Sequence, residues 1–113
     1  MFSKENRLQT DWLIEKIKRR GIRIQNQFFR LQIGRKNSKK NRFAVIVSLK
    51  VSKLATKRNY LKRKIRVACQ KLLPRFKAGN DVIISASPRS LSLSQTEIQK
   101  ELTKLLSQKG YLK

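Results

Sequence analysis

The sequence predicts a single α/β (α+β) domain in which helices pack on one sheet to form a sandwich. Two observations support this prediction. The chain has 113 residues, the length of one domain, and 39% of them are apolar, which is enough for a small core. The spacing of the apolar residues also changes along the chain, and the resulting order is helix, strands, helix, strand, helix.

The first and last helices are predicted from residues that favour helix ends. Thr10 and Asp11 can cap the first helix, and Gly21 can end it. Residues 94–97 have the sequence SQTE, which matches a capping box at the start of the last helix, and Gly110 ends that helix. Its apolar stripe consists of Ile98, Leu102, Leu105 and Leu106.

Three strands are predicted, within residues 28–33, 43–47 and 82–84. The first of them alternates, so that Phe28, Arg30 and Gln32 share its more polar face. The other two are continuous apolar runs, which are typical of buried strands. A basic, turn-rich loop at residues 34–41 joins the first two strands and permits an antiparallel hairpin between them.

The central helix has the clearest pattern in the chain. It is predicted to begin near Ala55 and to end before Pro74, because proline cannot continue a helix. Its core-facing stripe consists of Leu61, Ile65, Ala68 and Leu72. The segment from residue 43 to residue 86 therefore has the order strand, helix, strand, and one face of the helix is expected to pack against the core.

The net charge points to a polyanionic partner. The chain has 29 Lys and Arg against 6 Asp and Glu, a formal charge of +23. No carboxylate falls between Glu15 and Asp81, whereas 22 Lys or Arg do. Such a charge destabilises a compact state by self-repulsion, so a polyanion is the natural compensation.

Composition also excludes several classes of function. The absence of histidine excludes Ser-His-Asp and Cys-His nucleophiles and histidine metal sites. A single cysteine, Cys69, allows no intrachain disulfide, fits a reduced compartment and is expected to be a packing residue. No apolar run approaches the length of a membrane span, and the first residues lack the apolar centre of a signal peptide. No catalytic or metal-binding residue is predicted in this chain.

The central helix also carries a basic surface beside its apolar stripe. On a helical wheel, Arg58, Lys62 and Arg66 lie along one edge of the stripe. Asn59 and Arg63 extend this surface to the far side. Arginine can hold a phosphate with two parallel hydrogen bonds, and lysine supplies a point charge. A solvated surface is the alternative for any charge run, but a net charge of +23 favours anion binding.

At these residues the sequence resembles the bacterial ribonuclease P protein component. That family has an Arg-Asn-Arg signature followed by a Lys-Arg pair and a further Arg on its central helix. The matching residues here are Arg58, Asn59, Lys62, Arg63 and Arg66. Tyr60 replaces the second Arg of the signature, and on the wheel it points away from the Arg58 edge. Similar segments at residues 4–8, 42–51, 81–84 and 94–106 follow in the family's order.

The resemblance implies a two-layer sandwich with a mixed, mostly antiparallel sheet and a left-handed strand–helix–strand crossover. It implies that residues 1–113 form one RNA-binding domain, the accessory protein subunit of ribonuclease P in the cytoplasm. The partners would be the catalytic ribonuclease P RNA and precursor tRNA, whose 5′ leader the enzyme removes. The catalytic centre would lie in the RNA, with Mg²⁺ held mainly by RNA and substrate. The leader would lie in a cleft between the central helix and the open sheet face.

Two sets of site residues follow. The predicted RNA-binding set consists of Lys50, Lys57, Arg58, Asn59, Lys62, Arg63 and Arg66. The candidates for the leader cleft are Phe28, Arg30, Gln32, Ser48 and Tyr60. Phe28 either stacks on a base or packs under the first helix, and Tyr60 either stacks on a base or covers apolar surface. Ile14 and Lys18 stand where the family tends to place aromatic residues on its first helix.

Three other classes compete with this interpretation. A structural RNA-binding protein, for instance a ribosomal one, could have the same composition. The Arg58-Asn59 signature in its strand–helix context separates the two classes and favours the ribonuclease P protein. A stand-alone nuclease is disfavoured by the missing histidine and the scattered carboxylates. A protein that binds anionic membranes would need a long helix with a wide exposed apolar face.

Overall fold

A computed structural model describes residues 11–35, 41–77 and 79–112, and it confirms a sheet with helices packed on it. The strands are β1 (Ile22–Gln25), β2 (Phe29–Arg35), β3 (Arg42–Ile46) and β4 (Asn80–Ala86). The helices are α1 (Asp11–Arg20), α2 (Ala55–Leu72) and α3 (Gln95–Gln108), with short 3-10 turns at Leu73–Arg75 and Pro88–Ser92. The similar segment at residues 4–8, the predicted cap Thr10 and residues 36–40 of the basic loop lie outside the described residues.

The four strands form one mixed sheet in the order β1-β2-β4-β3. β2 runs antiparallel to both β1 and β4, whereas β3 runs parallel to β4, so the sheet is mostly antiparallel as predicted. The antiparallel hairpin that the loop at residues 34–41 would permit between β2 and β3 does not form, because β4 lies between them. Ile84 of β4 pairs with Leu31 on one side and with Val45 on the other. A strand as apolar as β4 is stabilised most at the centre of the sheet, where both of its faces are covered.

α2 connects two parallel neighbours, since it follows β3 and precedes β4. The strand–helix–strand order predicted for residues 43–86 is thus confirmed, while its left-handed sense stays a prediction. β1 is not predicted from the sequence; it is a four-residue strand in which only Ile24 is buried. So short an apolar alternation carries little signal on its own.

One face of the sheet, the first face, is covered by α2 and α3. The predicted stripes of both helices are buried in a core that also takes side chains from all four strands. Phe43 of β3 meets Phe76 edge to face, with ring centroids 4.9 Å apart. Cys69 is part of this core, and its burial raises the pKa of the thiol, as expected of a packing residue.

α1 covers part of the opposite, second face. Ile17 packs on Ile83 of β4, with Ala44 and Ile46 of β3 beside them. Gly21 ends α1 as predicted, but its φ angle is not positive, so a close approach explains the residue. A Cβ atom at this position would lie 2.6 Å from the carbonyl oxygen of Ile17 and 2.9 Å from that of Ile33.

The capping box at the start of α3 is confirmed. The Ser94 hydroxyl accepts a hydrogen bond from the Glu97 backbone N–H at 3.2 Å, and the Ser94 N–H donates to the Glu97 carboxylate at 2.9 Å. These hydrogen bonds with Ser94 lower the pKa of Glu97. They fix the start of α3, and with it the position of the chain that precedes it.

Candidate nucleic-acid interface

α2 carries the main concentration of positive charge. Its 18 residues include seven Lys or Arg and no Asp or Glu. Arg58, Lys62 and Arg66 are half-buried along one edge of the core stripe, which we call the signature edge, and Asn59 and Arg63 are exposed beside it. The helix therefore presents rigidly spaced cations on successive turns, as the wheel predicts.

Arg58 is anchored by the chain that leads into α2. Its Nη1 donates a hydrogen bond of 2.8 Å to the carbonyl oxygen of Ser52. Arginine has five donors, so this contact orients the guanidinium and leaves other N–H groups available to a ligand. Ser48 and Lys50, both exposed, belong to the same connection between β3 and α2. The predicted RNA-binding residues thus lie on α2 and on the connection that precedes it.

The opposite edge of α2 faces the start of α3. Lys64 Nζ lies 4.5 Å from the centre of the Tyr60 ring and donates a hydrogen bond of 3.3 Å to the carbonyl oxygen of Leu93. Gln95 of α3 donates to the carbonyl oxygen of Lys64 at 2.8 Å. Tyr60 therefore points away from the signature edge. With 60% of its surface exposed, it covers little apolar surface.

The candidates for the leader cleft at residues 28–32 have three different environments. Phe28 is half-buried against the first-face core, not under α1, and its N–H donates to Asn26 Oδ1 at 2.8 Å. Gln32 is buried on the second face and donates to the carbonyl oxygen of Lys18, so it supports α1. Arg30 is exposed on the second face.

The five cleft candidates do not form one surface. Arg30 and Gln32 lie on the second face, whereas Tyr60 belongs to the helix layer that covers the first. The register instead aligns a row across the second face, which consists of Gln25, Arg30, Ser85 and Ile46. Arg30 Nε donates to Gln25 Oε1 at 3.3 Å within this row. The alternation in the short β1 was the only sequence signal that could have found Gln25.

The described carboxylates leave the cations of α2 unneutralised. Between described side chains, ion pairs join Lys18 to Glu15 and Arg42 to Asp81. The second pair is bidentate, with both nitrogen–oxygen distances at 2.8 Å. The hydrogen bonding of Arg42 to Asp81 raises the pKa of Arg42. Neither pair involves α2, so among the described residues no carboxylate forms an ion pair with this helix.

Within the described ranges, no three His, Cys, Asp or Glu side chains come together as a possible metal site. None of the helices described there is long and apolar enough to cross a membrane.

The fold and this surface define a class of protein, namely a small, strongly basic α+β protein with a cationic helix suited to nucleic acid. The family described as Ribonuclease P matches residues 2–110. The chain therefore belongs to the ribonuclease P protein family. The match covers almost the whole chain, including the signature edge of α2.

Curated relatives agree with this assignment. The "Ribonuclease P protein component" of Synechocystis sp. is 39% identical over 80 residues, which are 71% of this chain and 64% of the relative. The protein of the same name from Pseudanabaena sp. is 29% identical over 108 residues, covering 95% of this chain and 93% of the relative. This chain thus spans slightly less than two thirds of the Synechocystis protein and nearly all of the Pseudanabaena protein.

Solved structures share the fold. The RNase P protein of Staphylococcus aureus superposes with a TM-score of 0.87 at 22% identity, over 97% of this chain and 100% of that one. The RNase P protein of Thermotoga maritima gives a TM-score of 0.79 at 23% identity, over 90% and 96%. At these identities the likeness establishes the architecture.

Proposed function

We propose that within ribonuclease P this chain binds the catalytic RNA through the signature edge of α2 and helps the RNA remove the 5′ leader of precursor tRNA. The observation that carries the proposal is the arrangement of α2: seven cations, no carboxylate and an Arg58 side chain held in place by Ser52. A preoriented guanidinium loses less side-chain freedom when it grips a phosphate.

The second face is the better surface for the single-stranded leader. Arg30 is exposed there, next to Gln25, and the row continues over Ser85 to Ile46 beside α1. An exposed arginine and its polar neighbours on this face would contact the phosphates and sugars of the leader. Such contacts position a strand without reading its sequence. That property suits a subunit that must accept leaders of many sequences. Of the cleft candidates, Arg30 fits this role, whereas the burial of Gln32 favours a supporting one.

The proposal assigns Mg²⁺ to the RNA and the substrate. The described part of the chain offers phosphate-binding cations instead of clustered carboxylates. These cations would neutralise phosphates and so order the RNA around its own metal ions. A cytoplasmic location, where precursor tRNA is processed and where Cys69 would stay reduced, belongs to the same proposal.

Reconstitution with the ribonuclease P RNA of the same organism tests the proposal. The purified chain alone should not cleave precursor tRNA, and it should stimulate cleavage by the RNA most strongly at low Mg²⁺. Metal-dependent cleavage by RNA-free protein would contradict the division of roles. Failure to stimulate the RNA at any Mg²⁺ concentration would contradict the function itself.

The signature edge and Arg63 beside it are tested by the salt dependence of RNA binding. Arg58→Ala and Arg63→Ala should weaken binding and reduce the slope of log K against log salt by about one each, since each lost phosphate contact releases about one counterion fewer. Arg75→Ala, an exposed arginine beyond the far end of α2, is the matched control and should leave the slope unchanged. Equal slopes in all four proteins would count against this edge as the RNA surface.

A further inference from the structure

A pocket opens on the side of α2 opposite the signature edge. Its volume is about 440 Å³, within the usual range for sites that hold small organic groups. The lining residues are Thr56, Lys57, Tyr60, Leu61, Lys64 and Leu91. None of them is acidic. Two of them are large apolar or aromatic side chains left open to solvent, Tyr60 at 60% and Leu91 at 37% exposure.

The walls of the pocket are fixed by contacts of its own lining residues and of their neighbours. Lys64 bridges the Tyr60 ring and the carbonyl oxygen of Leu93, and its own carbonyl oxygen accepts from Gln95. The 3-10 turn that carries Leu91 is fixed by Ser90, whose buried hydroxyl donates to the carbonyl oxygen of Ser87 at 2.6 Å. Both walls are therefore in place before any ligand arrives, which lowers the entropy cost of binding.

The chemistry of the pocket combines a flat aromatic surface, apolar walls and two ammonium groups. The ammonium of Lys64 lies over the Tyr60 ring, 4.5 Å from its centre, and 60% of the Tyr60 surface is exposed. A planar group can therefore reach the tyrosine and stack between its ring and the apolar wall. Lys57 is exposed at the rim, where it can hold an anion next to that group. A planar heterocycle attached to a phosphate has this combination of properties, and unpaired nucleotides are recognised by aromatic stacking with adjacent cations.

We infer that this pocket binds one unpaired nucleobase of the ribonuclease P RNA, stacked on Tyr60, with a flanking phosphate on Lys57. The inference rests on the proposed binding of that RNA by α2. The catalytic RNA, not the leader, is the occupant because the pocket lies on α2 itself. The leader surface, with Arg30, is on the other face of the sheet. The two edges of α2 would then have different roles: the signature edge binds phosphates, and the Tyr60 edge binds a base together with the phosphate beside it.

The salt dependence of RNA binding separates these two roles. Tyr60→Ala should weaken binding of the full chain to the ribonuclease P RNA by about 5- to 140-fold, the loss typical of one base–aromatic stack. It should leave the salt slope unchanged, because no counterion is released by stacking. Tyr60→Phe should bind as the wild type does. Leu54→Ala is the matched control, since it removes an exposed apolar side chain at the start of α2 outside the pocket.

Chemical probing of the RNA supplies a second readout. One unpaired nucleobase should be protected by the wild type and by Tyr60→Phe and should become reactive with Tyr60→Ala, at protein concentrations that saturate each complex. Because Tyr60 is mostly exposed, the variant should keep its far-UV circular dichroism.

The outcomes distinguish this inference from the proposed function. If Arg58→Ala and Arg63→Ala weaken binding while Tyr60→Ala does not, the base pocket is wrong and the signature edge stands. If Tyr60→Ala weakens binding but no nucleobase changes its reactivity, the pocket does not hold a base. If none of the three variants affects binding, α2 is not the RNA surface and both proposals fail.

Discussion

Replacing Asp81 by asparagine removes the charge of the buried carboxylate that pairs with Arg42. Asp81 is 2% exposed and accepts hydrogen bonds from Arg42 Nε and Nη2, both at 2.8 Å. The pair links β4 to β3 at the start of their parallel register. The variant keeps the size of the side chain, so the change in stability reports chiefly on the lost charge.

The expected cost follows from the burial of the pair. Removing one partner of a buried ion pair typically costs about 3–5 kcal/mol, because the other charge stays desolvated and uncompensated. The Arg42 side chain is 27% exposed and keeps some hydration, which places the cost near the lower end, at about 3 kcal/mol. This is a large part of the ~5–15 kcal/mol that stabilises an ordinary domain.

Urea unfolding followed by far-UV circular dichroism measures this cost. With an m value of about 1–3 kcal/mol per molar, the midpoint should fall by roughly 1–3 M. Glu15→Gln makes the same change in net charge at an exposed carboxylate, 3.9 Å from Lys18, and should cost less than about 1 kcal/mol. Equal, small losses in the two variants would refute the reasoning that burial makes the Asp81 pair important.

Three further changes test the described packing. Ser94→Ala should lower the free energy of unfolding at pH 7 by about 1 kcal/mol, measured by urea titration, because it removes the cap of α3. The stability that ionised Glu97 contributes through the cap is present above the ordinary carboxyl pKa and is lost as the pH falls through the lowered pKa of Glu97. The cost of Ser94→Ala should therefore be smaller in acid. Gly21→Ala should cost about 1–3 kcal/mol in the same assay, since its Cβ would meet two backbone oxygens. The Cys69 thiol should resist a thiol reagent at pH 8 until urea unfolds the chain, and stability should fall as the pH rises above ~8.5, where only the unfolded thiol ionises.

Each of these three expectations has an outcome that would contradict it. If Ser94→Ala costs the same stability at pH 7 and in strong acid, ionised Glu97 does not contribute to the stability of the cap. Unchanged stability in Gly21→Ala would show that α1 can shift away from β2 at no cost. Rapid labelling of Cys69 under native conditions would show that the first-face core opens readily without global unfolding.

The helices were predictable because their signals are local. The stripe from Leu61 to Leu72 repeats every three to four residues, Pro74 ends the pattern, and residues 94–97 cap the next helix with their own side chains. These features involve neighbours within one turn, so a sequence contains them completely. The same reasoning placed Arg58, Lys62 and Arg66 on one edge, with Tyr60 away from it.

Strand neighbours were not predictable in this way. A period of two indicates which residues share a face, but it does not indicate which strand lies alongside. β2 and β3 follow each other in the sequence, yet β4 separates them, through pairs such as Leu31 with Ile84 that are more than fifty residues apart. The burial of Gln32 under α1 and the row from Gln25 to Ile46 depend on that pairing.

The charge of +23, the carboxylate-free centre of the chain, the three helices and the basic edge of α2 therefore follow from the sequence alone. They depend on composition and on contacts within a helical turn. Only the tertiary structure decided that β4 occupies the centre of the sheet, that α1 supports the second face and that Leu91 closes a pocket on Tyr60. Those features arise from side chains that are distant in sequence. They meet because one arrangement of the chain both buries the apolar surface and pairs the backbone N–H and C=O groups.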